Sequence, residues 1–245
     1  MDAGFQATND DKIVQIDGLY KNYILKENGT GSIGYPNNEE FPGQPGKFEV
    51  IVTDAVNPVI AVHCVHNTRV WRTNLGNGSF RFNFHMGAVR STVALPVPAP
   101  IWYYVYDSQQ PVHQDTGVGL QVFTPEGQLA FDNSFNYMRV VGDIRGSAVM
   151  PAVGTIVNNY RFTNNKVAIL ITQQALKLDI IFLEGPGGTD PVEGYEIRSV
   201  VARMSDYSTI QTTDGLESSR FGSGVVNFIN ARPYNYLALD VSGLD

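Results

Sequence analysis

The feature that most constrains this chain is the shortness of its apolar runs. Apolar and polar side chains alternate over roughly four to eight positions, and then Gly, Pro, Asn or Asp breaks the run. Period two is the mark of a strand with one face toward a core, because successive side chains point to opposite faces. No stretch holds the 3.6-residue apolar period of a long helix. The turn signals recur at roughly 8–12 residues, which predicts an all-β protein: an antiparallel β-sandwich, or several, with an N-terminal β-hairpin and little helix. No fixed-period repeat marks a propeller or solenoid.

Four parts are expected along the chain. Residues 1–30 read as an N-terminal docking hairpin, with strands at 12–17 and 20–26 joined at Gly18-Leu19 and ended by Asn28-Gly29-Thr30-Gly31. Residues 31–46, with Pro36, Pro42 and Pro45, read as a loop. Residues 47–142 read as the sandwich core, with strands at 47–53, 58–65, 80–84, 92–97, 101–106 and 137–141. Within that part, 118–132 is the plainest local signal: two short strands flank Thr124-Pro125-Glu126-Gly127, a type I turn closed by a left-handed glycine. Residues 143–245 are expected to be a second β module or a continuation of the same sandwich, with strands at 160–163, 166–172, 177–183, 194–203, 224–230 and 234–241. The segment 172–178 suits a strand or a short helix, and the polar stretch 205–223 reads as a long surface loop.

Composition excludes some functions. The chain carries 17 Lys and Arg against 24 Asp and Glu, a formal net charge of −7. With no basic run it lacks the clustered cations that phosphate neutralisation needs, so no nucleic-acid partner is expected. No apolar run approaches the roughly 20 residues of a spanning helix, so no membrane insertion is expected. The first residues carry no basic start or apolar stretch of a secretion signal, and synthesis in a cytoplasm is expected. The single cysteine, Cys64, leaves no disulfide framework.

Few residues suggest chemistry. His63, Cys64 and His66 are close in sequence, but alternation separates His63 from the other two. A zinc site normally needs four ligands, so a half-buried strand with its thiol toward the core is the expected role. Asp132, Asp143, Asp179, Asp190 and Glu193 are candidates for a hydrolytic carboxylate pair, yet most lie beside turns, where Asp accepts from backbone N–H groups. Nucleophile-elbow, Walker and dinucleotide glycine patterns are absent. No catalytic residue, cofactor or metal is therefore expected. Asn28-Gly29-Thr30 and Asn77-Gly78-Ser79 match glycosylation sequons and are read as turns. Aromatic residues say more. Trp102, Tyr104 and Tyr106 share one strand face, with Ile101, Tyr103 and Val105 on the other, and Tyr234 and Tyr236 lie opposite an apolar face of Leu237, Leu239 and Val241. The candidate contact residues are Phe5, Tyr20, Tyr23, Tyr234 and Tyr236.

Two stretches resemble a family of small tailed-bacteriophage structural proteins of the tail tip or tail fibre. One is 4–27, through Gly4-Phe5, Asn9-Asp10, Gln15-Ile16-Asp17 and Tyr20-Lys21-Asn22-Tyr23. The other is 102–141, through the aromatic strand from Trp102, Gly119-Leu120-Gln121-Val122, the Gly127 turn and Phe131-Asp132-Asn133-Ser134. The resemblance implies a non-enzymatic virion component of the distal tail or baseplate. Its partners would be other tail proteins and copies of itself, together with a host-surface receptor or glycan. It supplies no catalytic residues. Alternative readings are a lectin-like module that binds a glycan through exposed aromatics and, below it, a polysaccharide hydrolase.

Overall fold

The computed structural model describes residues 6–8, 14–17, 22–33, 47–66, 68–86, 99–108, 120–124, 126–127, 129–146, 156–163, 166–173, 176–183, 192–221 and 234–244. Among them there are seventeen strands and no helix. In chain order they are β1 (Gln6–Thr8), β2 (Val14–Asp17), β3 (Ile24–Ile33), β4 (Lys47–Val52), β5 (Val59–Cys64), β6 (Thr68–Gly76), β7 (Ser79–Met86), β8 (Ala99–Asp107) and β9 (Gln121–Phe123). Then follow β10 (Leu129–Asp132), β11 (Val140–Gly146), β12 (Ile156–Arg161), β13 (Val167–Gln173), β14 (Leu176–Leu183), β15 (Val192–Met204), β16 (Thr209–Phe221) and β17 (Tyr234–Asp240).

Two large antiparallel sheets carry the fold. One has six strands in the order β11-β17-β13-β5-β8-β3; the other has seven, β12-β16-β15-β6-β7-β4, with β14 also on β15. They pack face to face as a β-sandwich. Near β4 and β7 the core between them is Val50, Val52, Phe80, Phe82 and Phe84 from one sheet against Ile60, Val62, Cys64, Ile101 and Val105 from the other. At the opposite end, Ile144, Val167, Ile169, Tyr234 and Tyr236 meet Ala202, Met204 and Ile210. Phe84 has no exposed surface; burying such a side chain contributes about 1.5–3 kcal/mol.

The strands from β11 to β17 belong to these same two sheets, since Ile169 and Leu170 of β13 pair with Val62 and Ala61 of β5, and Ala202 of β15 pairs with Thr68 of β6.

Several expectations need correcting. β2 does not pair with the strand after it; its partner is β1. β3 joins the six-stranded sheet beside β8, with Gly29 opposite Tyr103 and Gly31 opposite Ile101. So part of the expected docking hairpin is committed to the chain's own sheet. Asn28 through Gly31 lie within that strand instead of a turn, and the glycines serve close approach. A Cβ on Gly31 would sit 2.3 Å from the Phe48 ring, and one on Gly29 2.5 Å from the Tyr103 hydroxyl. The expected surface loop at 205–223 is mostly β16, paired with β15 from Ile210↔Met204 to Phe221↔Gly194. Its polar side chains do not prevent strand formation, because backbone groups make the ladder and Thr suits a pleated surface. Segment 172–178 is strand where described, with no helix. The strand foreseen at 137–141 begins at Val140, and β6 was not foreseen. The expected strands at 92–97 and 224–230 lie outside the described residues.

Two turns match their chemistry. Asn77 and Gly78 have φ of 50° and 71°, the type I′ pair that joins β6 to β7. Gly127, at φ 78°, donates its N–H to the Thr124 carbonyl at 2.9 Å and joins β9 to β10.

Candidate binding surfaces

The expected contact residues fare unevenly. Phe5 and Tyr20 lie outside the described residues. Tyr23 is half-buried, and its hydroxyl accepts from Asn57 Nδ2 at 2.8 Å. Burial raises its pKa; the Arg72 charge opposes and Asp107 adds to the rise. Tyr234 and Tyr236 must be corrected: each is 1% exposed, and their rings stack at 5.3 Å between the sheets. Period two correctly sets them opposite Leu237 and Leu239, but β17 lies between β11 and β13 and both of its faces are covered.

The sulfur and histidine cluster is structural. Cys64 is 1% exposed in the intersheet core, and burial pushes its thiol pKa up, away from the reactive thiolate. His63 faces the other way. Its Nδ1 lies 2.8 Å from the Val167 carbonyl, which can only accept, so Nδ1 carries a proton. The ring stacks on Tyr207 and meets Trp102 edge-on. Among the described residues no group of three or more His, Cys, Asp and Glu could hold a metal ion.

The described carboxylates do local structural work. Asp132 accepts from the backbone N–H and hydroxyl of Ser134 and from Gln121 Nε2. Asp107 accepts from the N–H groups of Val56, Asn57 and Ser108. Asp143 pairs with Arg145 at 2.5 Å. The side chains of Asp179, Asp190 and Glu193 lie outside the described residues.

Three surfaces offer room for a partner. The first is a cleft of about 400 Å³ at the side of the sandwich, between Ile60 and Ile171 of one sheet and Val70 and Phe82 of the other. Arg72 stands on its rim, donating to Asn57 Oδ1 and the Pro58 carbonyl. It lies where the seven-stranded sheet forks. β15 meets β6 only at Ala202↔Thr68 and pairs with β14 from Ser199 onward toward Val192. The second is a groove of about 370 Å³ between Phe131, Phe135, Tyr137 and Arg139 and the turn Ser242–Leu244. Arg139 is held there by Asp240 at 3.5 Å.

The third is flat: the outer face of β6, β7 and β4. Register sets Trp71, Asn83 and Glu49 in one row and Thr73, Arg81 and Ile51 in the next. Inward-facing Val70, Phe82, Phe84, Val50 and Val52 belong to or pack on the core, so alternation directs the six others outward. Trp71 is 43% and Ile51 51% exposed, and Arg81 Nε lies 3.3 Å from Glu49 Oε2. Sequence reasoning passed over Trp71 with the rest of β6; the Asn77-Gly78 hairpin signal, followed backward from β7, would have placed it opposite Asn83.

No family model, curated protein or solved structure matches the chain. Among the described residues no helix is long and apolar enough to cross a membrane.

Proposed function

We propose that this chain is a non-enzymatic structural component of a bacteriophage tail tip or tail fibre, joining virion subunits and contributing to host attachment. The segments 4–27 and 102–141 that resemble that family motivate the reading. The observation that carries it is the cleft between the two sheets, lined by Ile60 and Ile171 on one side and Val70 and Phe82 on the other. Such a cleft can receive the apolar side chains of a segment of a neighbouring subunit. Asp107 and Asp132, each engaged by neighbouring N–H groups, fit a role without catalysis.

Mass spectrometry of purified particles from the encoding phage, followed by a cryo-EM map, tests this. The expected result is the chain in the tail with a segment of a neighbouring subunit seated in this cleft. Particles that lack the chain overturn the reading. Thr172→Trp, on the exposed rim of the cleft, should lower incorporation while the isolated protein stays folded; full copy number in that variant would remove the cleft from the argument. A second reading, saccharide binding, is favoured by the exposed indole of Trp71 among hydrogen-bonding groups.

A further inference from the structure

We infer that the cleft between the two sheets takes an extended segment that is both apolar and acidic: an aliphatic side chain enters between Ile60, Ile171, Val70 and Phe82, and a carboxylate two residues away pairs with Arg72 on the rim. The inference rests on the subunit-joining reading above and names the chemistry of the segment.

Arg72 is the unusual residue of this cleft. It lies two positions beyond Val70 on the core-facing side of β6, opposite Phe82 in the register. Phe82 is buried, whereas the guanidinium beside it is exposed and sits 5.3 Å from the centre of the Phe80 ring. Its Nη1 donates to Asn57 Oδ1 at 2.8 Å and to the Pro58 carbonyl at 2.7 Å. Those acceptors immediately precede β5, so the two bonds reach from one sheet to the other and hold the cation at the mouth of the cleft.

The charge is positioned but not neutralised. A guanidinium offers five N–H donors, and Nη2 and Nε make no hydrogen bond among the described residues. Among those residues no carboxylate lies in ion-pair range of Arg72. Asp107, which holds the backbone of the same Asn57, is spent on the N–H groups of Val56, Asn57 and Ser108. The fork left open on Arg72 matches a carboxylate. Spacing narrows the occupant further. Side chains two apart on an extended chain point the same way and lie about 7 Å apart. Val70 and Arg72 have that separation on β6, so an aliphatic residue followed at the second position by Asp or Glu matches both. The volume of about 400 Å³ is within the usual range for a ligand cleft, roughly 300–1,000 Å³.

Methyl NMR of the isolated full chain, labelled at isoleucine, tests the inference with acetyl-Gly-Leu-Thr-Glu-Gly-amide and its twin carrying Gln in place of Glu. The Glu peptide should shift the Ile60 and Ile171 signals and bind about three- to fivefold more tightly than its twin, the worth of one solvent-exposed ion pair. Arg72→Gln should erase that preference, Arg72→Lys should keep part of it, and added salt should narrow it. Circular dichroism should show both variants folded, because Arg72 is exposed. Equal binding of the two peptides by the wild type would overturn the pairing with Arg72 while leaving the cleft as a seat for an apolar segment. Shifts with decanoate and with neither peptide would overturn the segment in favour of a small amphiphile. No shift with any of the three probes would overturn the cleft as a site, and the tail reading would then rest on the composition of the particles alone.

Discussion

The two sheets of this sandwich each carry a tryptophan on their outer face: Trp102 is partly buried under other segments, whereas Trp71 is exposed. Trp102 belongs to β8, which runs between β5 and β3. On that face Tyr104 and Tyr106 are 1% and 0% exposed, covered by Tyr23, Leu25, Met138 and the C-terminal turn with Leu244. Residues 136–138 reach this face by pairing alongside 23–25, through Leu25 N–H to Asn136 and Met138 N–H to Tyr23. The buried Lys166 ammonium sits 5.1 Å above the Trp102 ring. Trp71, across the sandwich on β6, has 43% of its surface exposed. Alternation assigns side chains to faces, but the distant segment that lies over a face decides whether it becomes core or surface.

The sharpest way to break this contrast is to truncate each face in turn. Tyr104→Ala should cost about 3–5 kcal/mol, as for other buried aromatics, read by denaturant unfolding. A cost below about 1 kcal/mol would mean that the face is not truly covered. Gly31→Ala, which drives a Cβ toward Phe48, should cost about 1–3 kcal/mol if the ring cannot yield. The same substitution at neutral cost would show that β3 and β4 are packed loosely. Gly127→Val meets open space but must hold φ near 78°, so a loss of about 1–2 kcal/mol is expected from backbone strain alone.

Alkali should act on the buried tyrosines and spare the open face around Trp71. Burial holds the Tyr106 phenol well above the ordinary tyrosine range, with Arg139 opposing and Asp240 reinforcing. Burial first, then the contact with Tyr234, pushes Tyr160 up to about 12, and burial also raises Tyr137. A raised folded pKa means that the unfolded chain loses its proton first. The associated stability is whole below the unfolded value near 10 and is lost as pH rises through the folded values. Unfolding midpoints should therefore fall above about pH 10. If ultraviolet titration of the folded protein showed all 12 tyrosines ionising together at the ordinary value, that account would fail. Trp71→Ala should have the smallest effect on stability, within about 0.5 kcal/mol; a large loss would move Trp71 from surface to core.

Much of the fold was legible because its signals are local. The β9–β10 turn at Gly127, the Asn77-Gly78 turn and the alternation in β5, β8 and β17 all follow from side chains near one another in sequence. The misses come from longer range. β16 has a polar sequence and is held by its ladder to β15. β3 pairs with β8, far along the chain, so its Asn-Gly-Thr-Gly run could not be told from a turn. For the candidate surfaces, Tyr234 and Tyr236 were placed on the right side of their strand, but no local signal says that a second sheet lies on that side. The face around Trp71 exists only once three strands stand in register.

The position of β17 has a consequence for biogenesis. It is the last of the described strands to be translated, yet its slot lies between β11 and β13, and its Leu237 pairs with both Asp143 and Leu170. Until that strand leaves the ribosome, β11 and β13 have a gap between them, with exposed edges open to mispairing. Closure of the sheet thus waits for 234–240 to emerge, and the nascent chain is most in need of chaperone protection between the emergence of β13 and that of β17.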